Sequence, residues 1–476
     1  MEPLATHQIV EEFEGADLGD ARRTDRLLRI VDAIARQPDK SFPQMAAGEA
    51  ELEALYRLLN NPSVNFDRVL LPHRRRTAER AEQAGEVVVV HDTTAFKLAH
   101  ADPKVVGFLQ TGRPGFYGHV SLVVSADGER RPLGVAAVQT IHRKSRSGRG
   151  SRKVSRSGSV TTKQRDRESK RWDAGIEQSE ALLESCAGVI HVADREADSY
   201  MLLAQLVRSE SRFVVRVRHD RVARDVEPEA PWSKLKELVG GADDCMVREV
   251  PLSARRRTST APVQARRYPK RKERMATLHF ATTQIEVRRP NYLRDPWPES
   301  LRLNIVRVHE VDAPPDQEPV EWLLVTTEPV KTKEQIERVV DIYRTRWIIE
   351  EFFKALKSGC LYQKRQLEGR RALLNALALF LPVACQMLWL RSRAQHAPDT
   401  PASEVLSARQ IRLLREVSTK QLPMSPTVRE VLLAIAALGG HIANNGEPGW
   451  CTIWRGFERL LDFELGWIAA RKKRNL

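Results

Sequence analysis

Cysteine is scarce in this chain of 476 residues: Cys186, Cys245, Cys360, Cys385 and Cys451 are odd in number, widely scattered and never spaced Cys-x-x-Cys. That pattern excludes a disulfide framework and a structural zinc site, and it fits a reducing compartment. No internal repeat is present. The first residues, Met1-Glu-Pro-Leu-Ala-Thr-His7 and then Glu11-Glu-Phe-Glu14, lack the apolar core of a signal peptide. Long uncharged runs are missing with one exception, Ala372 to Leu390, whose length approaches the ~20 residues of a spanning helix. Asn375, Pro382 and Gln386 interrupt it, and Arg370, Arg371, Arg391 and Arg393 put like charge on both flanks. With no orientation bias and no second such segment, it predicts a buried helix and no membrane.

Acid is in deficit as well, with 62 Asp and Glu against 77 Lys and Arg and a formal net charge of +15. A surplus of that size favours a polyanion partner, because each cation that neutralises a phosphate releases a condensed counterion. A membrane surface is the competing partner for the same charge. Hydrophobic residues at 42% and charged residues at 29% suffice for a packed core, and the length corresponds to roughly two to four domains.

Residues 1–70 read as helical, with amphipathic runs from Ala21 to Gln37 and from Gly48 to Asn60, the second ended by Asn61-Pro62. Arg22, Arg23, Arg26 and Arg29 lie on the first run and Arg57 on the second; each alone reads as part of a solvated face. The period then changes. Val87-Val-Val-Val90 is the mark of a strand buried on both faces. Strands follow over His119 to Ser125 and Leu133 to Ile141, then a helix from Trp172 to Ser185, a strand from Val189 to Ala193, a helix from Glu196 to Val207 and a strand from Arg212 to Val217. In an α/β protein that order is the one expected of a ribonuclease H-like core, a mixed sheet with helices on its faces. Residues 142–171 read as a flexible basic loop that orders on a polyanion. Residues 220–330 read as a β-rich insertion, with strand-like runs from Ala276 to Val287 and Leu301 to Val311 and basic clusters at Arg255 to Arg257 and Arg266 to Lys272. The expected organisation is a helical N-terminal domain over 1–70, a catalytic domain over 71–370 carrying that insertion, and a helical C-terminal domain over 371–476.

Three acids invite chemistry. Asp92 and Asp194 each follow a strand, Val87 to Val90 and Val189 to Ala193, and strand ends in α/β sheets face the ligand crevice. Each alone is as readily a turn former or helix cap. Two such carboxylates close together are costly unless a cation or a proton resolves them, which points to a hard divalent ion. The third acid, Glu350, lies on the helical stretch Asp341 to Lys357. At about 100° per residue, Tyr343, Arg346, Glu350 and Lys357 share one stripe about 60° wide. Ile342, Ile349, Phe352, Phe353 and Leu356 occupy the arc beside it, which should face the sheet, and Glu351 points away.

The spacing of Tyr343, Arg346, Glu350 and Lys357 resembles the Tyr-Arg-Glu-Lys signature of bacterial DDE cut-and-paste transposases of the insertion-sequence-four group. The resemblance extends in order through Leu18-Gly-Asp-Ala-Arg-Arg-Thr24, Tyr56-Arg57, Asp92-Thr-Thr94, Asp194-Arg-Glu-Ala-Asp198, Phe213-Val-Val-Arg216, Trp322-Leu-Leu324 and Ala436-Ala-Leu-Gly-Gly440. It implies that Asp92, Asp194 and Glu350 bind two Mg²⁺ ions, with Mn²⁺ as a substitute. Tyr343, Arg346 and Lys357 would then hold phosphates, Trp322 would stack on a base flipped from the duplex, and Arg216 and Lys354 would contact the DNA backbone. Arg26 and Arg57 resemble end-binding positions, and the C-terminal helices, with the Trp454 to Leu461 stretch, resemble a dimerisation module. The partners implied are transposon-end and target DNA and a second copy of the chain in a homodimeric synaptic complex, in a bacterial cytoplasm. A catalytically silent DNA-binding inhibitor of transposition and a nuclease without strand transfer are the rival readings. The basic tract at 142–171 and the proline-rich insertion depart from the family pattern.

Overall fold

A computed structural model describes residues 6–144, 159–227, 229–252, 271–315, 317–442 and 446–474. It divides into two compact units, one formed by 1–188 with 347–476 and the other by 189–346.

The first unit opens with helices α1 (Thr6–Glu11), α2 (Ala21–Arg36), α3 (Glu49–Asn60) and α4 (Phe66–Ala84). Asp20 caps α2 by accepting from the Arg22 amide, and Leu27, Ile30, Val31 and Ile34 recur at helical spacing as its buried face. Strands β1 (Glu86–Lys97), β2 (Gly115–Ser125) and β3 (Pro132–Ile141) form an antiparallel meander. Asp92 is therefore not at a strand end. Pairing with β2 runs unbroken from Val87↔Ser125 to Lys97↔Gly115, because the β-branched and aromatic residues Thr93, Thr94 and Phe96 extend the strand past the valine run.

Helix α5 (Ser159–Leu182) packs on β2 and β3. Its first half replaces the loop expected to reach residue 171, since the segment from Val160 to Trp172 has no Gly or Pro and is rich in Lys, Arg, Gln and Glu. The rest of the basic tract, 145–158, and most of the two basic clusters of the insertion lie outside the described residues.

After the second unit the chain continues as α8 (Ile348–Lys354), α9 (Arg370–His396), α10 (Ala408–Val417), α11 (Val428–Leu438) and α12 (Trp450–Arg474). Helix α9 is long and apolar enough to cross a membrane, but 83% of its most apolar window is buried within the protein, as a core helix would be. Asn375, which interrupts the apolar run, donates from Nδ2 to the carbonyls of Leu59 and Val64 at 2.9 and 3.0 Å, and so closes the end of α3. Helices α11 and α12 cross backbone to backbone: a Cβ on Gly456 would lie 1.6 Å from the Ile435 carbonyl oxygen, and one on Gly439 would lie 1.8 Å from that of Thr452.

The second unit contains α6 (Tyr200–Arg208), α7 (Lys333–Thr345) and strands β4 (Gly188–Ala193), β5 (Arg212–Arg216), β6 (Val222–Asp225), β7 (Ser233–Lys234), β8 (Asp244–Leu252), β9 (Arg274–Arg288), β10 (Ser300–Glu310) and β11 (Glu321–Thr326). Their order is β4-β5-β11-β10-β9-β6-β7, with β8 added on β9. Among the described residues of this unit, β4 and β5 pair in parallel and the pairings of the β-rich insertion are antiparallel. Helix α6 starts at Tyr200, later than expected, because a turn occupies 194–197 and Ser199 supplies the cap by accepting from the Leu202 amide.

A buried polar cluster joins the N-terminal helices to this meander. Nε2 of His73 accepts from the Val135 amide at 3.0 Å, so Nδ1 carries the proton and donates to Glu12. Arg80 donates to the same carboxylate and, at 2.7 Å, to the Leu133 carbonyl. Burial alone would raise the Glu12 pKa, but His73 and Arg80 outweigh it and hold the group at about 2. The folded carboxyl thus titrates below its ordinary value of 4.5, and the stability it contributes is complete above that value and lost as pH falls toward 2. We expect Glu12→Ala to destabilise the protein by about 3 kcal/mol in urea unfolding at neutral pH, and that difference to shrink between pH 4.5 and 2. An unchanged midpoint at pH 7 would show that the cluster does not hold the two layers together.

Candidate active site

In the first unit the chemistry gathers on one face of β1. Asp92 and Thr94 alternate onto the same face, Asp92 half-buried and Thr94 buried. The Asp92 Oδ1 accepts from the Thr93 amide at 2.7 Å. Lys357 donates from Nζ to the Thr94 hydroxyl, with the Phe96 and Phe353 rings each 5.8 Å away. Burial lowers the Lys357 pKa to about 8 with help from Lys97, while Asp92 opposes the shift. Lys357 therefore stands two residues along the strand from Asp92, as a cation held by its surroundings.

The stretch from Asp341 to Lys357 is not one helix. Helix α7 ends at Thr345, α8 begins at Ile348, and Ala355–Gly359 form a π-helical turn. At the first junction the amides of Arg346 and Glu350 bond three residues back, to Tyr343 at 3.0 Å and Trp347 at 3.2 Å. The regular winding of about 100° per residue assumed for the four signature residues is therefore interrupted twice, at the junction and at the π-helical turn. Within α8 the reading holds: Ile349, Phe352 and Phe353 are buried, α8 packs on β1, and Glu350 is half-buried. Glu351 is turned to Lys354 at 2.5 Å and Arg391 at 3.9 Å. That pairing engages the ammonium expected to meet DNA.

In the second unit Asp194 directly follows β4, as expected, and its Oδ1 accepts from the Glu196 amide at 2.8 Å. The parallel register Ala193↔Val215 puts Asp194 level with Arg216. Arg216 donates to the Glu321 carbonyl at 2.9 Å and to Tyr343, and lies 6.0 Å from the Trp322 ring. Trp322 meets Tyr343 edge to face at 5.5 Å and is only half-buried, unlike a core tryptophan. Desolvation lowers the Arg216 pKa; Tyr343 opposes that shift, while Arg195 and Arg346 add to it. Asp194, Arg216, Trp322, Tyr343 and Arg346 thus assemble around one end of β4 and β5.

Arg26 and Arg57 are exposed on α2 and α3, and Arg57 carries an i,i+4 pair with Glu53 at 2.5 Å. Such an exposed pair is worth only a few tenths of a kcal/mol, roughly 0.3–0.5, and yields readily to a phosphate. Among the described residues no three His, Cys, Asp or Glu side chains are gathered into a metal cage. Among the same residues Cys186, Cys245, Cys360 and Cys385 are free thiols.

Sequence reasoning missed Asp198, the last residue of the second acidic motif. Its carboxylate is fully buried and accepts from the amides of Arg218 and His219 at 2.6 and 2.8 Å and from Arg221. It clamps the loop after β5, beside Arg216, and faces no solvent. An isolated Asp in a turn-rich motif carries no signal for this, since its partners lie about twenty residues on. We expect Asp198→Ala to cost about 3–5 kcal/mol in chemical denaturation, because it strands a buried guanidinium and two amides. A loss under 1 kcal/mol would assign the clamp no structural weight.

Two known families match the chain. The transposase DNA-binding family covers residues 7–64, the span of α1 to α3. The transposase DDE domain covers residues 160–383, from α5 into α9, and includes Asp194, Arg216, Trp322, Tyr343, Arg346, Glu350, Lys354 and Lys357. Asp92 falls between the two matched spans. The DDE domain places the mixed α/β fold, with its helical ends, in the ribonuclease H-like class. A transposase DNA-binding domain followed by a transposase DDE domain makes this chain a DDE transposase.

Proposed function

We propose that this transposase moves DNA by cut and paste, as a member of the insertion-sequence-four group close to the transposase of transposon five. The observation that carries the reading is the bond from Lys357 to Thr94, which ties a member of the four-residue signature to the strand bearing Asp92. Asp92, Asp194 and Glu350 would hold two Mg²⁺ ions, or Mn²⁺ in their place. The donor chemistry fits: all three are carboxylates, the hard oxygen ligands that such ions take. Bound there, the ions supply charge neutralisation at the scissile phosphate during an in-line displacement.

The chain's own groups do the rest. Lys357, Tyr343 and Arg346 grip phosphates flanking the cut, and Arg216 and Lys354 add backbone contacts. Trp322, half-buried on Tyr343, offers a face to an unstacked base, and such stacking is worth roughly 1–3 kcal/mol. Arg26 and Arg57 contact the transposon ends. The same carboxylates would serve 3′ nicking, hairpin formation, hairpin opening and strand transfer in turn. Two copies would pair through the C-terminal helices in the synaptic complex, within a bacterial cytoplasm.

On DNA carrying the inverted repeats that flank the gene, Asp92→Asn, Asp194→Asn and Glu350→Gln should each lower Mg²⁺-dependent cleavage at least about a hundredfold while gel-shift binding persists. Wild-type cutting by any one removes that residue from the triad, and free ends without joined products would mark a nuclease instead. Trp322→Ala should leave nicking intact and abolish hairpins on denaturing gels. Hairpins formed at the wild-type rate would return Trp322 to the role of a packing residue.

A further inference from the structure

Asp194 has a turn of its own to fix its carboxylate; Asp92, in the middle of a continuous strand, has none. Its Oδ1 is held by the amide of Thr93, so the placement of Thr93 bears directly on that carboxylate. Thr93 lies on the opposite face of β1, and there it is held from two sides. Nε of Arg171, on α5, donates to its hydroxyl oxygen at 3.0 Å, and Nδ1 of His119, its cross-strand partner on β2, stands 3.0 Å from the same oxygen.

The side chains that back this contact from β1 and β2 are buried. His91, His119 and Ser121 have almost no solvent exposure, and His91 Nδ1 lies 2.9 Å from the Ser121 hydroxyl. Trp172 meets His119 edge to face at 4.5 Å. At Gly175 a Cβ would lie 3.2 Å from His119 Nε2 and 3.1 Å from Ser121 Oγ, so α5 sits hard against the layer. Burial and the nearby Arg171 push the His119 pKa down to about 3, which keeps the imidazole neutral. The hydroxyl can then take the Arg171 proton as acceptor and direct its own proton at Nδ1. His119 Nε2 is buried and has no hydrogen-bond partner among the described residues. An unpartnered ring nitrogen in a core layer costs stability, so a layer built only to hold the fold together would place an apolar side chain here.

We propose that Thr93, locked between Arg171 and His119, is the positioning residue for Asp92, and that Arg171 thereby couples helix α5 to metal binding. The proposal rests on the reading of Asp92 as a metal ligand. Outer partners of this kind typically change metal affinity by 10–100-fold when removed.

The test uses the full-length protein without DNA and follows Mn²⁺ by electron paramagnetic resonance titration, with thermal unfolding alongside. Thr93→Val should weaken Mn²⁺ binding about tenfold or more, and Thr93→Ser should restore it because it returns the hydroxyl. Arg171→Met should weaken binding in the same sense while α5 stays folded. Wild-type Mn²⁺ affinity in a cooperatively folding Thr93→Val or Arg171→Met protein overturns the proposal, as does failure of Thr93→Ser to restore binding. Asp92→Asn separates the layers of the argument. If it weakens Mn²⁺ binding and Thr93→Val does not, positioning alone fails; if Asp92→Asn leaves Mn²⁺ binding unchanged, the ligand reading fails and the positioning proposal with it.

Discussion

The continuous pairing of β1 with β2, from Val87 to Lys97, is the constraint on which the first unit depends. A strand paired along its whole length has two faces and a period of two, so every residue near Asp92 is assigned a side. Asp92 and Thr94 face α8 and Lys357; His91 and Thr93 face α5. A one-residue slip would exchange the two sets, burying the carboxylate under α5 and turning the histidines toward the site. The glycines of β2 guard the register. Gly118 stands opposite Thr94, and a Cβ there would lie 2.7 Å from the Phe96 ring, while one on Gly115 would lie 2.1 Å from the Phe96 carbonyl oxygen.

Much of this was legible in the sequence. Amphipathic spacing placed α2 and α3, the valine run placed the start of β1, and the strand-helix order placed β4 and β5. The arginine-flanked apolar run was read as a core helix, and its burial agrees. What escaped was decided by partners distant in the chain. The valine run suggested a strand closing at Val90, yet pairing to a segment about twenty residues on extends it to Lys97. A basic, serine-rich composition suggested a loop through residue 171, whereas Trp172, Gly175 and Ile176 pack on β2 and β3 and draw the preceding turns into helix.

Candidate residues could be picked out one by one in the sequence, but how the chain arranges them could not. Local patterns pointed to Asp194 and Tyr343, and the family resemblance to Arg216 and Trp322; the structure gathers these four around one end of β4 and β5. A helical wheel could not foresee that hydrogen bonding tightens at Arg346 and Glu350 and widens at Ala355–Gly359. Neither change leaves a mark in composition: Arg346-Trp347 contains no Pro or Gly, and both residues keep helical backbone angles.

Those irregularities have a physical rationale. The compact units exchange the chain between Arg346 and Trp347, so Tyr343 and Arg346 belong to the unit that carries Asp194, and Glu350 and Lys357 to the unit that carries Asp92. Each unit thus holds one strand-borne aspartate and two signature residues, including at least one cation. A carboxylate awaiting a divalent ion must stay ionised while partly desolvated, and a fixed cation lowers the cost of doing so. That cation must not neutralise the carboxylate by pairing with it outright, or an ion would have to displace it. Lys357 is held near Asp92 by one N–H bond to Thr94, two residues along the strand. Arg216, level with Asp194, is held by the Glu321 carbonyl. In both units a cation near the aspartate is held in place by a neutral oxygen, the Thr94 hydroxyl in one and the Glu321 carbonyl in the other.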